Sequence, residues 1–137
     1  MRALLDTSVL LDLFLNREPW AVDAATIWNS AHERRIDAQF SAFALPTVFY
    51  VVRRHAGLTA AHESVRLSME TLEIVPVGRS TLEMARTLSG ADFEDNLQIA
   101  SAFEANADTI VTRDASGFAA SPISVMAPAD FVRILLI

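Results

Sequence analysis

A short apolar run at the start of the chain, Ala3–Leu5, leads directly into Asp6. The run has no polar alternation, which is typical of a central strand in a parallel sheet covered by helices on both faces. Ligands of open α/β sheets bind beyond the carboxyl ends of the strands, so Asp6 lies where a site is expected. A helix follows, with Thr7 or Ser8 as its candidate N-cap. If Asp6 is only the N-cap of that helix, its role is structural.

Strand and helix patterns alternate along the rest of the chain, which predicts a parallel sheet with right-handed crossovers. Further strands are predicted over 36–42, 72–77, 109–112 and 123–126, the last at a sheet edge. Helices are predicted to begin near Pro19, Pro46, Thr59, Thr81 and Pro128, with Ser80 and Glu83 as a capping box for the helix at Thr81. Another helix covers 91–106, and Phe103 is among its apolar residues available for burial. We therefore expect one domain over residues 1–137, a three-layer α/β/α sandwich with a central parallel sheet of four to five strands.

Composition excludes several classes of protein. The 137 residues are 52% hydrophobic, enough for a core, but no apolar run approaches the roughly 20 residues of a membrane span, and we expect a soluble cytoplasmic protein. The absence of cysteine removes thiol nucleophiles and thiolate zinc sites. All eleven basic residues are arginine, so there is no lysine for a P-loop or a Schiff base, and phosphoaspartate enzymes, which also use a lysine, are disfavoured.

The net charge of −6 is unusual for a protein that binds nucleic acid, because phosphate binding relies on lysine and arginine. Charge acts locally, however, and the pairs Arg34-Arg35 and Arg53-Arg54 are basic patches that can contact a phosphate backbone. Taken singly, each pair also fits a solvated helix end.

Acidic residues from distant parts of the sequence are predicted to meet. The helix that contains Asp95 and the strand over 109–112 are joined by a few residues, so they run antiparallel, and the start of the helix lies near Asp114. Asp6 leaves a parallel strand at the same edge. Asp92 has a structural alternative as the N-cap of its helix, and Asp114 as an Asx-turn residue, whereas Asp12 is interpreted as a solvated helix position.

Carboxylates crowded at one edge repel one another, and the repulsion raises a pKa unless a cation is present. Oxygen ligands favour Mg²⁺ or Mn²⁺ over zinc, and such an ion can orient water and neutralise charge during attack on a phosphoryl group. The histidines at 32, 55 and 62 are predicted on helices away from this edge, and no Gly-x-Ser-x-Gly motif supports serine catalysis.

Three motifs in this order and spacing resemble the PIN-domain ribonucleases, specifically the VapC-type toxins of bacterial toxin–antitoxin pairs. They are Leu-Leu-Asp6-Thr-Ser-Val-Leu, Asp92-Phe-Glu-Asp95-Asn-Leu-Gln-Ile-Ala-Ser-Ala and Ala-Asp-Thr-Ile-Val-Thr112-Arg-Asp114. The resemblance covers almost the whole chain. It implies a metal-dependent endoribonuclease with Asp6, Asp95 and Asp114 as catalytic residues and Mg²⁺ or Mn²⁺ ligands. Thr112, with Thr7 or Ser8, would support them by hydrogen bonding.

The chain departs from the family pattern at Thr47, where the resemblance would place a glutamate. A hydroxyl brings no negative charge, so we expect weaker metal binding, and the alternative function is a PIN-like module that binds RNA or protein with little catalysis. The resemblance further implies an RNA substrate, an antitoxin partner and a homodimer, and the apolar segment Val48–Val52 would suit a partner's groove. Phosphatase or phosphotransfer chemistry is a more distant alternative.

Overall fold

The computed structural model describes residues 1–137 and contains a five-stranded sheet in which every neighbouring pair is parallel. The spatial order is β3-β2-β1-β4-β5. The strands are β1 (Arg2–Leu5), β2 (Asp37–Ser41), β3 (Glu73–Val75), β4 (Thr109–Val111) and β5 (Ser124–Met126). The first strand is therefore central, as its apolar run predicts, and the strand order reverses beside it.

Seven α-helices connect and cover the strands. They are α1 (Thr7–Phe14), α2 (Ala21–His32), α3 (Leu45–Ala56), α4 (Leu58–Thr71), α5 (Arg79–Thr87), α6 (Phe93–Glu104) and α7 (Pro128–Leu135), with 3₁₀ turns over Ala42–Ala44 and Ala115–Phe118. None of these helices combines the length and the apolar character that a membrane-spanning segment requires.

Adjacent leucines of β1 supply the two halves of the core. Leu5 belongs to the larger apolar cluster, with Ile27, Phe40 and Phe131, whereas Leu4 belongs to a second cluster with Ile99 under α6. Successive side chains of a strand point to opposite faces, so a continuous apolar run is what a sheet covered on both faces requires. The predicted three-layer α/β/α sandwich is confirmed.

Several local predictions were wrong. The N-cap of α1 is Asp6, which accepts a hydrogen bond from the Thr7 amide at 2.8 Å, and neither Thr7 nor Ser8 caps the helix. The α5 helix begins without the predicted Ser80 capping box, because the Gly78 amide donates to the Thr81 hydroxyl at 3.1 Å and Ser80 donates to Glu104 instead.

The structure also differs from two predictions about which apolar side chains are buried within the chain. Phe103 was expected to be buried but is 55% exposed near the end of α6. Val48 and Val52, expected to face a partner, are buried in the larger core cluster, so this part of α3 has its partner within the chain. The side chain that α3 exposes there is Tyr50.

Candidate active site

Asp6 lies at the carboxyl end of β1, where its amide donates to the Val111 carbonyl at 2.9 Å and so keeps it level with the end of β4. Its carboxylate is extensively hydrogen bonded: the Thr7 amide and the Ser8 hydroxyl donate to it at 2.8 and 3.1 Å, and the Thr112 hydroxyl donates at 2.8 Å. Asp6 therefore caps α1 and also lies at the edge of the sheet where a site is expected. The same bonds that begin α1 fix the orientation of this carboxylate.

Thr112 connects Asp6 to Asp114. The buried Thr112 hydroxyl donates to Asp6 Oδ2 and accepts from the Asp114 amide at 3.0 Å. One hydroxyl thus links the ends of two neighbouring strands. The Asp114 carboxylate accepts from the Ser116 hydroxyl at 2.7 Å, which is a contact between side chains and not the backbone amide bond of an Asx turn, and it remains exposed to solvent.

The start of α6 brings a third carboxylate to this edge. Asp92 caps the helix by accepting from the amides of Glu94 and Asp95 at 2.8 and 3.2 Å, so the capping prediction for Asp92 is confirmed. One turn further along α6, Gln98 donates to Asp6 Oδ1 at 3.4 Å and to the Thr7 hydroxyl at 3.3 Å. Residues three apart share a helix face, so Gln98 ties the face that carries Asp95 to the end of β1.

Gly117 lies between two of the carboxylates. A methyl group built on its Cα would collide with Asp95 Oδ2 and would come within 3.2 Å of Asp114 Oδ2. Both oxygens therefore approach one point, and only a residue without a side chain leaves them that space. Asp95 and Asp114, 19 positions apart in sequence by their numbering, face each other across this glycine.

Crowding at this edge changes the acidity of Asp95. Burial, followed by the negative charges of Asp92, Asp6, Asp114 and Glu94, raises its pKa from 3.8 to about 6. The Asp95 carboxylate also accepts no hydrogen bond from the chain, unlike that of Asp6. Desolvation and like charge both disfavour the ionised form, which is the electrostatic signature expected of a carboxylate cluster.

A cleft of about 230 Å³ opens beside these acids. Its lining includes Asp6 and Asp95 together with the exposed Thr47, at the position where a family glutamate was expected. Thr47 makes no side-chain hydrogen bond within the chain. Sequence reasoning did not identify the other polar residues of the cleft, which are Arg17, Glu94 and Gln98.

The chemistry of the donor set fits a hard divalent cation. Carboxylates and hydroxyls are the ligands that Mg²⁺ and Mn²⁺ prefer, and the raised pKa of Asp95 reflects burial and neighbouring negative charge, for which a cation would compensate. The side chains do not form a closed cage, since no three acidic or histidine side chains converge closely enough to be a ready-made metal group. Mg²⁺ commonly keeps several waters and takes one or two carboxylates directly, so Asp6, Asp95 and Asp114 would hold it partly through water.

The interpretation of Asp12 as a solvated residue was wrong. Asp12 is 1% exposed, and Arg113 donates to its carboxylate through Nε at 2.7 Å and Nη2 at 3.0 Å. The guanidinium of Arg113 also stacks on the ring of Trp20, 3.9 Å from its centroid. Because Arg113 stands between Thr112 and Asp114, this bidentate pair fastens the loop after β4 to α1.

The three histidines lie where they were expected. His32, His55 and His62 are exposed on α2, α3 and α4, and none lines the acidic cleft.

The parallel sheet has helices on both faces, and its carboxylates lie where the strand order reverses. These features define the class of open α/β proteins whose site lies at that reversal of strand order. Sequence comparison identifies the family within that class. The chain matches the PIN domain family over residues 2–116 and belongs to it, so the predicted resemblance is confirmed. No curated protein matches the sequence.

Solved structures share this fold at low sequence identity. A DNA-bound VapBC complex from Salmonella typhimurium is 14% identical with a TM-score of 0.73, covering 93% of this chain and 98% of that one. A toxin–antitoxin complex from Klebsiella pneumoniae is 21% identical (TM-score 0.67; 92% and 97% covered). Mycobacterium tuberculosis VapC20, a sarcin–ricin loop cleaving toxin, is 16% identical (TM-score 0.65; 79% and 86% covered). These likenesses establish the fold.

Proposed function

We propose that this chain is a metal-dependent endoribonuclease that hydrolyses RNA phosphodiester bonds. The observation that supports it most directly is that carboxylates from β1, α6 and the loop after β4 lie together at one edge of a PIN domain, where burial and then their negative charges raise the pKa of Asp95. A bound Mg²⁺ or Mn²⁺ would supply a charge that activates water and stabilises the phosphoryl group during attack. Asp6, Asp95 and Asp114 would hold that ion.

The chain's own residues have separate tasks in this proposal. Asp6 is oriented by Thr7, Ser8 and Thr112, so it offers a fixed carboxylate. No group of the chain donates a hydrogen bond to the Asp95 carboxylate, which leaves it free to bind the ion. Gln98 keeps the face of α6 against Asp6, which fixes the distance between the two acids.

Cleavage of mixed cellular RNA tests the proposal. Wild-type protein is expected to cut with Mn²⁺ present, and activity is expected to disappear in EDTA and in Asp6→Asn. Asp37→Asn is the matched control, because Asp37 is exposed at the opposite end of the neighbouring strand and carries the same charge. Cleavage by Asp6→Asn equal to that of wild type would reject the assignment.

We further propose a place in a toxin–antitoxin pair, with a cognate antitoxin as partner and a homodimer as the assembled toxin. The support is that similar folds were solved as toxin–antitoxin complexes. Co-expression with the neighbouring open reading frame should yield a co-purifying complex with suppressed cleavage, and light scattering of the isolated chain should give twice its 15.0 kDa mass. Monomeric mass at micromolar concentration would contradict the dimer.

Thr47 favours a second candidate function, a PIN domain that binds RNA or protein with weak catalysis. Thr47 lines the cleft without contributing charge. We expect Thr47→Glu to bind Mn²⁺ about ten-fold more tightly in isothermal titration, because a further carboxylate adds an oxygen ligand and negative charge. Equal affinities would show that this position does not affect the metal, and cleavage by the wild type would reject the weak-catalysis alternative.

A further inference from the structure

The acidic cleft is lined by one positively charged side chain. Arg17 is the only basic residue in its lining, which also includes three acids, Asp6, Glu94 and Asp95. Its guanidinium nevertheless forms no ion pair within 4.0 Å of any carboxylate. Six of the eleven arginines are paired in that way, and of the five that are not, Arg17 alone is partly buried.

The backbone holds Arg17 firmly at this place. The α1 helix ends at Phe14, and Asn16, with φ of 48°, reverses the chain direction. The Arg17 amide then donates to the Asp12 carbonyl at 3.0 Å, and its carbonyl accepts from the Ala21 amide at 2.8 Å. Asp12 is itself fixed by Arg113. Both backbone groups of Arg17 are therefore satisfied by neighbouring helices, and its position does not depend on its charge.

Arg17 is a partly buried residue in the lining of this cleft, and its guanidinium has no carboxylate partner in the chain. A charged group that is brought out of water is stabilised only when it gains such a partner. Of the three acids that line the cleft, Asp6 is bonded by Thr7, Ser8 and Thr112, and neither Glu94 nor Asp95 forms an ion pair with Arg17. Thr47 lines the same cleft and is neutral, so no glutamate neutralises Arg17 from that position. An anionic ligand in the cleft would supply the partner that the chain does not.

We propose that Arg17 is the phosphate-binding residue of the cleft and contacts the non-bridging oxygens of an RNA phosphodiester. The inference rests on the proposed function for the identity of the anion. A guanidinium presents a planar fork that matches two phosphate oxygens, and it stays charged at every pH of interest. It offsets the repulsion that acids exert on RNA, and it places the phosphate beside Asp6 and Asp95.

Fluorescence anisotropy with a labelled single-stranded RNA in EDTA tests the inference without cleavage. Arg17→Ala is expected to weaken binding about ten-fold, and to reduce the slope of log K against log salt by about 0.7, the loss of one contact to a single strand. Arg17→Lys should keep the slope but lose part of the affinity, because a single ammonium does not reproduce the fork. Arg133→Ala, which removes an equal but exposed charge from α7, should change neither value.

The inference is overturned if Arg17→Ala binds RNA with the wild-type affinity and slope, or if Arg133→Ala loses as much. It is also overturned if the wild type binds no RNA. If Arg17→Ala weakens RNA binding ten-fold but the wild type does not cut RNA with Mn²⁺, the phosphate-binding role of Arg17 stands and the proposed nuclease function is rejected. Cleavage by the wild type with unchanged binding by Arg17→Ala would reject the phosphate site alone.

Discussion

Replacing Asp95 by asparagine should stabilise the metal-free protein at neutral pH. The pKa of Asp95 is about 6 in the fold against an ordinary 3.8, a difference that corresponds to about 3 kcal/mol of unfavourable free energy for the ionised folded state. Asp95 is partly open to solvent, which screens its charge, so we expect about half of this figure, ~1.5 kcal/mol. Asparagine removes the charge and sacrifices no hydrogen bond, because the Asp95 side chain makes none.

The pH dependence has a definite sign. A carboxyl group whose pKa is higher in the folded than in the unfolded state lowers stability as the pH rises from about 3.8 through about 6, and the full loss persists above that range. The advantage of Asp95→Asn should therefore be largest at pH 7.5 and should shrink steadily as the pH falls towards 4. Below that pH, both proteins carry a neutral side chain at this position.

Urea unfolding in EDTA, followed by circular dichroism between pH 4 and 7.5, measures this difference. Asp37→Asn serves as the control, since it removes an equal charge from an exposed position and should change stability little. Saturating Mn²⁺ should stabilise the wild type more than Asp95→Asn, because only the folded wild type offers the ion all three carboxylates. If Asp95→Asn were no more stable than wild type in EDTA at pH 7.5, burial and neighbouring charge would not be destabilising the ionised Asp95 carboxylate, and this reasoning would be refuted.

Two further substitutions test the supports of the site. Gly117→Ala should displace the Asp95 carboxylate and weaken Mn²⁺ binding by about ten-fold in isothermal titration, with a stability change below about 1 kcal/mol because the clash is with a side-chain end; unchanged affinity would contradict the close approach. Arg113→Met should destabilise the fold by about 3 kcal/mol in urea by leaving the Asp12 charge buried without a partner, and adding Asp12→Leu should recover much of the loss, whereas additive losses would refute that explanation.

The sequence predicted the parts of this molecule that follow from local pattern and chain direction. The apolar run at Ala3–Leu5 predicted the central strand, and the short link between α6 and β4 predicted that Asp95 would approach Asp114. Gln98 could also have been found, because it lies one helical turn from Asp95 on the same face. These inferences need only the helix repeat and the rule that parallel strands end at one edge.

What the sequence did not reveal depends on contacts between distant positions. Asp12 and Arg113 are 101 residues apart, and an acidic residue within an amphipathic helix is interpreted as solvated unless its partner is known. The need for glycine at position 117 likewise cannot be predicted from the turn motif. It arises because two carboxylates approach Gly117, and not from the backbone conformation of Gly117 itself. Phe103 follows the apolar period of α6, yet its side chain is exposed near the end of the helix.

The two acids at the centre of the site are unlike each other, and the difference has a functional consequence. Asp6 is bonded by an amide and two hydroxyls, with Gln98 at 3.4 Å, so its orientation is set before any ligand arrives. Asp95 accepts no hydrogen bond, and burial together with the negative charges around it raises its pKa to about 6. A cation bound in the proposed site would therefore relieve an unfavourable interaction at Asp95. Since a proton competes for the same carboxylate, metal affinity should fall as the pH drops through about 6.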